Sequence, residues 1–424
     1  MDQAQQAIVA PFSFVPPESA SSSRGLITGE RSMSIDVEAE TARWLATMSP
    51  EETQRAIDYT HGSHWLILGG FVVSVLVAWL ILKSGLLNGL NAWLNHRRAR
   101  PNVTVFVIAV VFSVASWFLA LPWSWWSGWR RETEYGLTSQ PVAAWLAEGA
   151  LSGVIGALGM AVLLVGVYAL MRRAGRLWWA WAGGLTAAFM AVMLLAGPVF
   201  IEPLFNTYTP APDGPVRDAV VELAERTGTP SDRIYIYDGS RQSDRYTANV
   251  SGLFGTARVA MSDTMFQQGA DLAEVRGVVG HEMGHYVHMH PLWMTGVFAI
   301  LSMIVFWLSS RLYPVARRWL GADRVATISD PTGLPVLSVV IAFIFILATP
   351  VINTLVRTIE ADADRFSLEY ANEPDGLSAA LIKTAEYRAP SPSWIEEVLF
   401  YDHPSVENRI RRAMQWKADH PPAG

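Results

Sequence analysis

The sequence predicts a mainly α, multi-pass membrane protein of about six transmembrane helices joined to a small α+β region, and three observations predict it. Of 424 residues, 51% are hydrophobic and 18 are tryptophan, which is too apolar for an ordinary soluble chain of this size. Six apolar stretches reach or approach the length needed to cross a hydrocarbon core of about 30 Å. Two polar stretches, 201–291 and 357–424, lie outside them, and the first carries the mixed helix and strand periods of a folded domain. The net charge of −6 offers no field for a polyanion, so nucleic-acid binding is set aside. Cysteine is absent, so any metal must sit on His, Asp or Glu.

In chain order, residues 1–34 are rich in Ser, Ala and Pro with no basic start before an apolar run, so a disordered segment is expected rather than a secretory signal. Residues 35–64 read as a juxtamembrane helix, with Ser49, Pro50 and Glu52 at the N-cap, first and third positions. A four-helix membrane region follows over 65–200, with spans at 65–82, 103–121, 150–171 and 177–200. Trp123, Trp125, Arg172 and Arg173 flank these spans as interfacial anchors. The remainder, 201–424, holds a helix near 216–227, strands near 234–237 and 258–261, a further helix, and two more spans at 293–310 and 335–356.

That further helix carries His281-Glu282-Met283-Gly284-His285. Residues four apart share a helical face, so both imidazoles can hold one zinc while Glu282 projects beside them toward a water at the metal. Asp271 and Glu274 fit a capping box at its start, and Pro291 marks its end. Alone, the motif competes with a satisfied structural His pair. A catalytic zinc also needs a third protein ligand and an open position. At the end of the sixth span, Asn353, Arg357, Glu360 and Asp364 are spaced to share one helical face, a polar stripe that membrane helices tolerate only with partners.

His281-Glu282-x-x-His285 followed by Glu360-x-x-Ala363-Asp364 resembles the CAAX prenyl protease family of integral membrane zinc endopeptidases, related to the heat-shock membrane proteases. The likeness extends to Pro203-Leu204-Phe205-Asn206, to Ala248-Asn249 with Gly252 and Gly255, and to His403-Pro404 before Asn408-Arg409-Ile410. It implies a zinc metalloendopeptidase with one Zn2+ per chain on His281, His285 and Glu360, and Glu282 as general base to a zinc-activated water. It implies His403 as the donor to the oxyanion, Asp364 as the orienter of a zinc-bound imidazole and Arg357 as a partner of the surrounding carboxylates. The segment Ala248, Asn249 and Val250 corresponds to an edge strand on which an extended substrate pairs. His288 and His290 are read as structural or exposed, because a further His ligand would close the water position.

The expected partners are the lipid bilayer and peptide or membrane-protein substrates; prenylation of the substrate rests on the resemblance alone. Two other readings stand beside it: a membrane-protein quality-control metalloprotease, and a non-catalytic zinc-containing membrane binding protein, against which the intact Glu282 speaks. Six spans are one fewer than the seven of eukaryotic members. Lys83, Arg97, Arg172, Arg317 and other basic residues fall on the side opposite the polar regions, which places the site outside the cytoplasm by the positive-inside rule. The resemblance implies a cytoplasmic site, in the cell membrane if the chain is bacterial, and long polar domains lie outside that rule's range.

Overall fold

The computed structural model describes residues 35–252 and 256–421, so the expectation for residues 1–34, and Gly255, lie outside the described residues. Asp36 caps α1 (Val37–Leu45), and Ser49 and Glu52 form the reciprocal box that starts α2 (Pro50–Ser84). The expected juxtamembrane helix and first span prove to be one helix of 35 residues. Nothing in the sequence between them stops it, since no further proline occurs before Gly85, which closes it at φ 72°. At 1.5 Å per residue it is about 50 Å long, so part of it stands beyond an apolar layer of about 30 Å. There it meets the C-terminal tail, where Thr60 Oγ1 accepts from the Ala389 N–H at 2.7 Å.

After the short α3 (Leu86–Asn95) comes α4 (Pro101–Ser124), with Pro122 inside it; a π-helical turn over Trp125–Arg130 follows and leads to α5 (Arg131–Glu134). A proline cannot donate and crowds the preceding turn, and the wider π turn accommodates it. With α6 (Val142–Arg173) and α7 (Trp178–Ala196) the first four long apolar helices are complete. Side chains such as Trp65, Phe118, Phe200, Ile300 and Leu347 face outward, which is the surface a bilayer covers. At one end of this bundle Arg172 donates to Asn102 at 2.6 Å and Lys83 to the Gly321 carbonyl at 3.3 Å, gathering basic residues there.

The polar domain runs β1 (Tyr208–Pro210), α8 (Pro215–Thr227), β2 (Ile234–Tyr237), β3 (Ala248–Ser251), β4 (Arg258–Ser262), α9 (Asp263–Gln267) and α10 (Leu272–Val287). Its sheet has the order β1-β2-β4-β3, with β2 and β4 parallel and both outer pairings antiparallel, so β3 is an edge strand. Leu223, Met261, Val275, Val279 and Met283 bury the sheet against α8 and α10. The chain then returns through α11 (His290–Trp319) and α12 (Leu334–Tyr370), which bring the number of helices long and apolar enough to cross a membrane to 6 among the described residues. Alpha helices α13 (Pro374–Thr384), α14 (Trp394–Phe400) and α15 (Val406–Asp419) form the tail, where Leu377, Leu381, Ile410 and Met414 pack together against α1. Between α4, α6, α11 and α12 lies an apolar cavity of about 410 Å³, with Phe112, Met160, Phe306 and Phe345 on its walls.

Candidate metal centre

Asp271 caps α10 by accepting from the Glu274 N–H at 2.8 Å. The expected box is only half made. Glu274 instead accepts from Lys383 at 2.6 Å and from the Tyr246 hydroxyl at 3.2 Å, so its carboxylate is held by a buried charge pair rather than by the cap. Small residues then let α12 approach closely. A Cβ on Gly284 would lie 3.1 Å from Ala363 Cα and 3.0 Å from Phe366 Cβ, and Ser367 Oγ donates to the Gly277 carbonyl at 2.6 Å. Gly284, inside the HExxH motif, thus brings the Glu360–Asp364 turn against the His281–His285 face.

His281 Nε2 stands 3.2 Å from His285 Nε2 and 3.2 Å from Glu360 Oε2, and His285 Nε2 stands 3.4 Å from Glu360 Oε1. Glu360 Oε2 is buried and yet accepts no hydrogen bond. Close approach without a hydrogen bond is what lone pairs aimed at a shared cation produce, and a buried carboxylate oxygen left unpaired is otherwise costly. Two imidazoles and a carboxylate are a donor set that fits a divalent transition metal.

The other nitrogen of His281, Nδ1, donates to Asp364 Oδ1 at 2.9 Å, which leaves the Nε2 lone pair facing Glu360. Arg409 clamps Asp364 from two nitrogens, at 2.8 and 2.6 Å. Burial opposes a charge on His281, but the carboxylates of Asp364 and Glu360 outweigh it and hold the ring up to about 10 when no ion is bound, a proton then taking the Nε2 position that an ion would claim. The same negative field favours a cation. Burial and the neighbouring His281 push His285 down to about 3, so its ring is neutral with a lone pair to give. Burial pushes the Glu282 carboxyl up to about 7, near the value at which a group both takes and returns protons at neutral pH.

Glu282 and His281 open onto a cavity of about 150 Å³ whose walls include Ala248, Tyr387, His403 and Arg409. The edge strand β3 therefore borders the same cavity. Its Val250 N–H meets the Glu282 carboxylate, and Asn249 Oδ1 is buried without a hydrogen-bond partner. His403 places Nε2 3.3 Å from Glu360 Oε2, while its Nδ1 donates to Asp402 at 2.8 Å. Against burial, His403 holds the Asp402 carboxyl down to about 2, so an anion stands behind the ring on its Nδ1 side.

One expected contact is corrected. Arg357 does not partner the carboxylates of the centre: it donates to the main-chain carbonyls of Glu397, at 2.7 Å, and Tyr401, and to Thr354 Oγ1 at 2.7 Å. Asn353 likewise donates to the Leu399 carbonyl at 3.1 Å. Four residues share a face of α12, but the first two meet the end of α14 and only the last two meet α10. The guanidinium that serves the centre is Arg409, which the tail motif had contained without a role. Asp402 and the contact between His285 Nδ1 and His290 Nδ1, at 3.0 Å, were also missed, since each depends on how separate elements dock.

Comparison with known proteins bears on this geometry. The profile of peptidase family M48 matches residues 210–417, and that of the CAAX prenyl protease N-terminal part, described as five membrane helices, matches residues 38–207. The chain belongs to peptidase family M48. An uncharacterized metalloprotease, YhfN, of Bacillus subtilis is 24% identical over 91% of this chain and 91% of its own. A CAAX prenyl protease 1 homolog of Oryza sativa is 25% identical over 79% of this chain and 78% of its own. The crystal structure of S. mikatae Ste24p shares the fold, with a TM-score of 0.71 at 19% identity, covering 91% of this chain and 92% of that one. This M48 chain is accordingly a multi-pass membrane metalloprotease. Within 38–207 four helices are long and apolar enough to span, against the five of the family description.

Proposed function

We propose that the protein is a zinc-dependent endopeptidase, with His281, His285 and Glu360 as the zinc ligands and Glu282 as the general base. The observation that carries the reading is the meeting of Glu360, from α12, with the Nε2 atoms of both histidines of α10 at 3.2 and 3.4 Å, beside a carboxyl tuned to about 7. When bound, the ion would supply Lewis acidity, polarising the scissile carbonyl and acidifying the attacking water. Glu282 takes a proton from the attacking water as its oxygen bonds to the carbonyl carbon, then returns it to the amide nitrogen as the C–N bond breaks. His403 Nε2–H donates to the developing oxyanion. Asp364 and Arg409 keep His281 in the tautomer that presents Nε2. The substrate lies extended along β3, pairing through its main chain with Ala248, Asn249 and Val250 on the unpaired edge.

The relatives named CAAX prenyl protease support a prenylated peptide as substrate. A second reading is cleavage of damaged membrane proteins. Cleavage of a prenylated peptide, its unprenylated form and a misfolded membrane protein side by side separates the two. Glu282→Gln is expected to keep its bound zinc while cleavage falls by about 10²–10⁴-fold; undiminished cleavage removes the proposed base.

A further inference from the structure

We propose that His288, His290 and Asp362 form a second, outer cation site for zinc-like divalent ions, and that filling it weakens the centre on His281, His285 and Glu360. The proposal rests on the assignment of those three residues as ligands. Chain geometry builds the outer group. Met289 adopts the left-handed region at φ 53°, one of two non-glycine residues with positive φ among the described residues. That conformation is disfavoured for a residue with a Cβ, and here it turns the end of α10 directly into α11. His288 and His290 are thereby brought to a centroid separation of 5.6 Å beside Asp362 of α12.

Three donor atoms converge there. His290 Nε2 lies 3.3 Å from Asp362 Oδ2, and His288 Nδ1 contacts that same oxygen. All lie within 4.8 Å of one another. Arg365 holds the other carboxylate oxygen at 2.7 Å, which keeps Oδ2 turned to the rings. Two imidazoles and one carboxylate suit zinc, nickel or copper rather than magnesium, which prefers an all-oxygen shell. The side chains of His288 and Asp362 are 34% and 31% exposed, so an ion reaches them from water without entering the inner cavity.

The antagonism follows from where the hydrogens must sit. An ion on His285 Nε2 leaves the hydrogen on Nδ1, which donates to His290 Nδ1 across 3.0 Å. An accepting, neutral His290 carries its own hydrogen on Nε2, pointing at Asp362. A cation on His290 Nε2 needs that lone pair. Moved to Nδ1, the hydrogen would oppose the His285 N–H, and the bond that orients His285 is lost. Loss of such an orienting bond lowers metal affinity or activity by about 10–100-fold, and the coupling is reciprocal, so the inner ion in turn makes the outer one weaker.

The test uses the full chain in detergent with Zn2+ alone as the probe, measuring bound ions by equilibrium dialysis and proteolysis at rising free zinc. The unsubstituted chain is expected to bind two zinc ions with separated affinities, and its proteolysis to fall about tenfold or more as the second binds. His288→Ala should bind one ion, keep its activity at low zinc and escape the inhibition. Binding of a single ion by the unsubstituted chain overturns the proposal, as does a His288→Ala chain that still binds two ions or is inhibited alike. Failure of the inner assignment reads differently: Glu360→Ala would then leave the two-ion count unchanged, whereas the expected count is one ion that depends on His288.

Discussion

The inner group of His281, His285 and Glu360 and the outer group of His288, His290 and Asp362 each bring two imidazoles to one carboxylate of α12, and they differ in what satisfies that carboxylate. Asp362 has both oxygens engaged, by Arg365 on one and His288 on the other, and about a third of its side chain is exposed. Glu360 is 9% exposed, stands within 3.4 Å of three imidazoles, and still has one oxygen with no hydrogen bond. A half-exposed group that its neighbours complete is stable without an ion, whereas a buried incomplete one is not. The inner group should therefore be the tight site, and composition alone would not have ranked the two.

The largest effect should come from removing the incomplete carboxylate. Glu360→Ala is expected to lose the tightly bound ion and with it all measurable proteolysis, while helical content by circular dichroism stays the same. Should this variant retain a tightly bound ion at the inner site, the ranking of the two groups is wrong.

Much of this arrangement was legible in the sequence because it is local. Apolar length gives each span, and the four-residue spacing of His281 and His285 puts both rings on one face whatever packs there. The strand at 234–237 follows from its own Ile-Tyr-Ile-Tyr run of β-branched and aromatic residues. What the sequence withheld was which neighbour each stretch of a helix would meet. The stripe from Asn353 to Asp364 has one helical spacing, but α12 passes α14 before it reaches α10, so Arg357 and Asp364 serve different elements. Arg409 lies 45 residues beyond Asp364, and only the docking of α15 brings it there. Glu274 had the right position for a capping box and was drawn away by Lys383.

A smaller effect should separate the ligands from the groups that act on the substrate. His403 faces Glu360 at 3.3 Å with Asp402 behind it, so it resembles the ligand histidines in position but not in support. His403→Phe is expected to keep the inner ion and to lower kcat by about 10²–10³-fold, the cost of one lost oxyanion donor. If metal affinity fell instead, with kcat restored at saturating zinc, His403 would belong among the ligands.

Arg357 should give the smallest effect, and it tests the division of the stripe most directly. Its guanidinium gathers the carbonyls of Glu397 and Tyr401, and so holds the segment that leads to Asp402 and His403 without touching the ion's ligands. Removing it costs hydrogen bonds worth about 1 kcal/mol each in net terms, roughly a fivefold change where that energy positions a reacting group. Arg357→Ala should therefore lower kcat by about threefold to tenfold on this scale, with the inner ion bound as tightly as before and KM little changed. A partner of the metal-binding carboxylates would behave the other way, losing the ion first and kcat only as a consequence. Metal affinity measured beside kcat on this one variant thus decides whether the stripe works as one unit or as two.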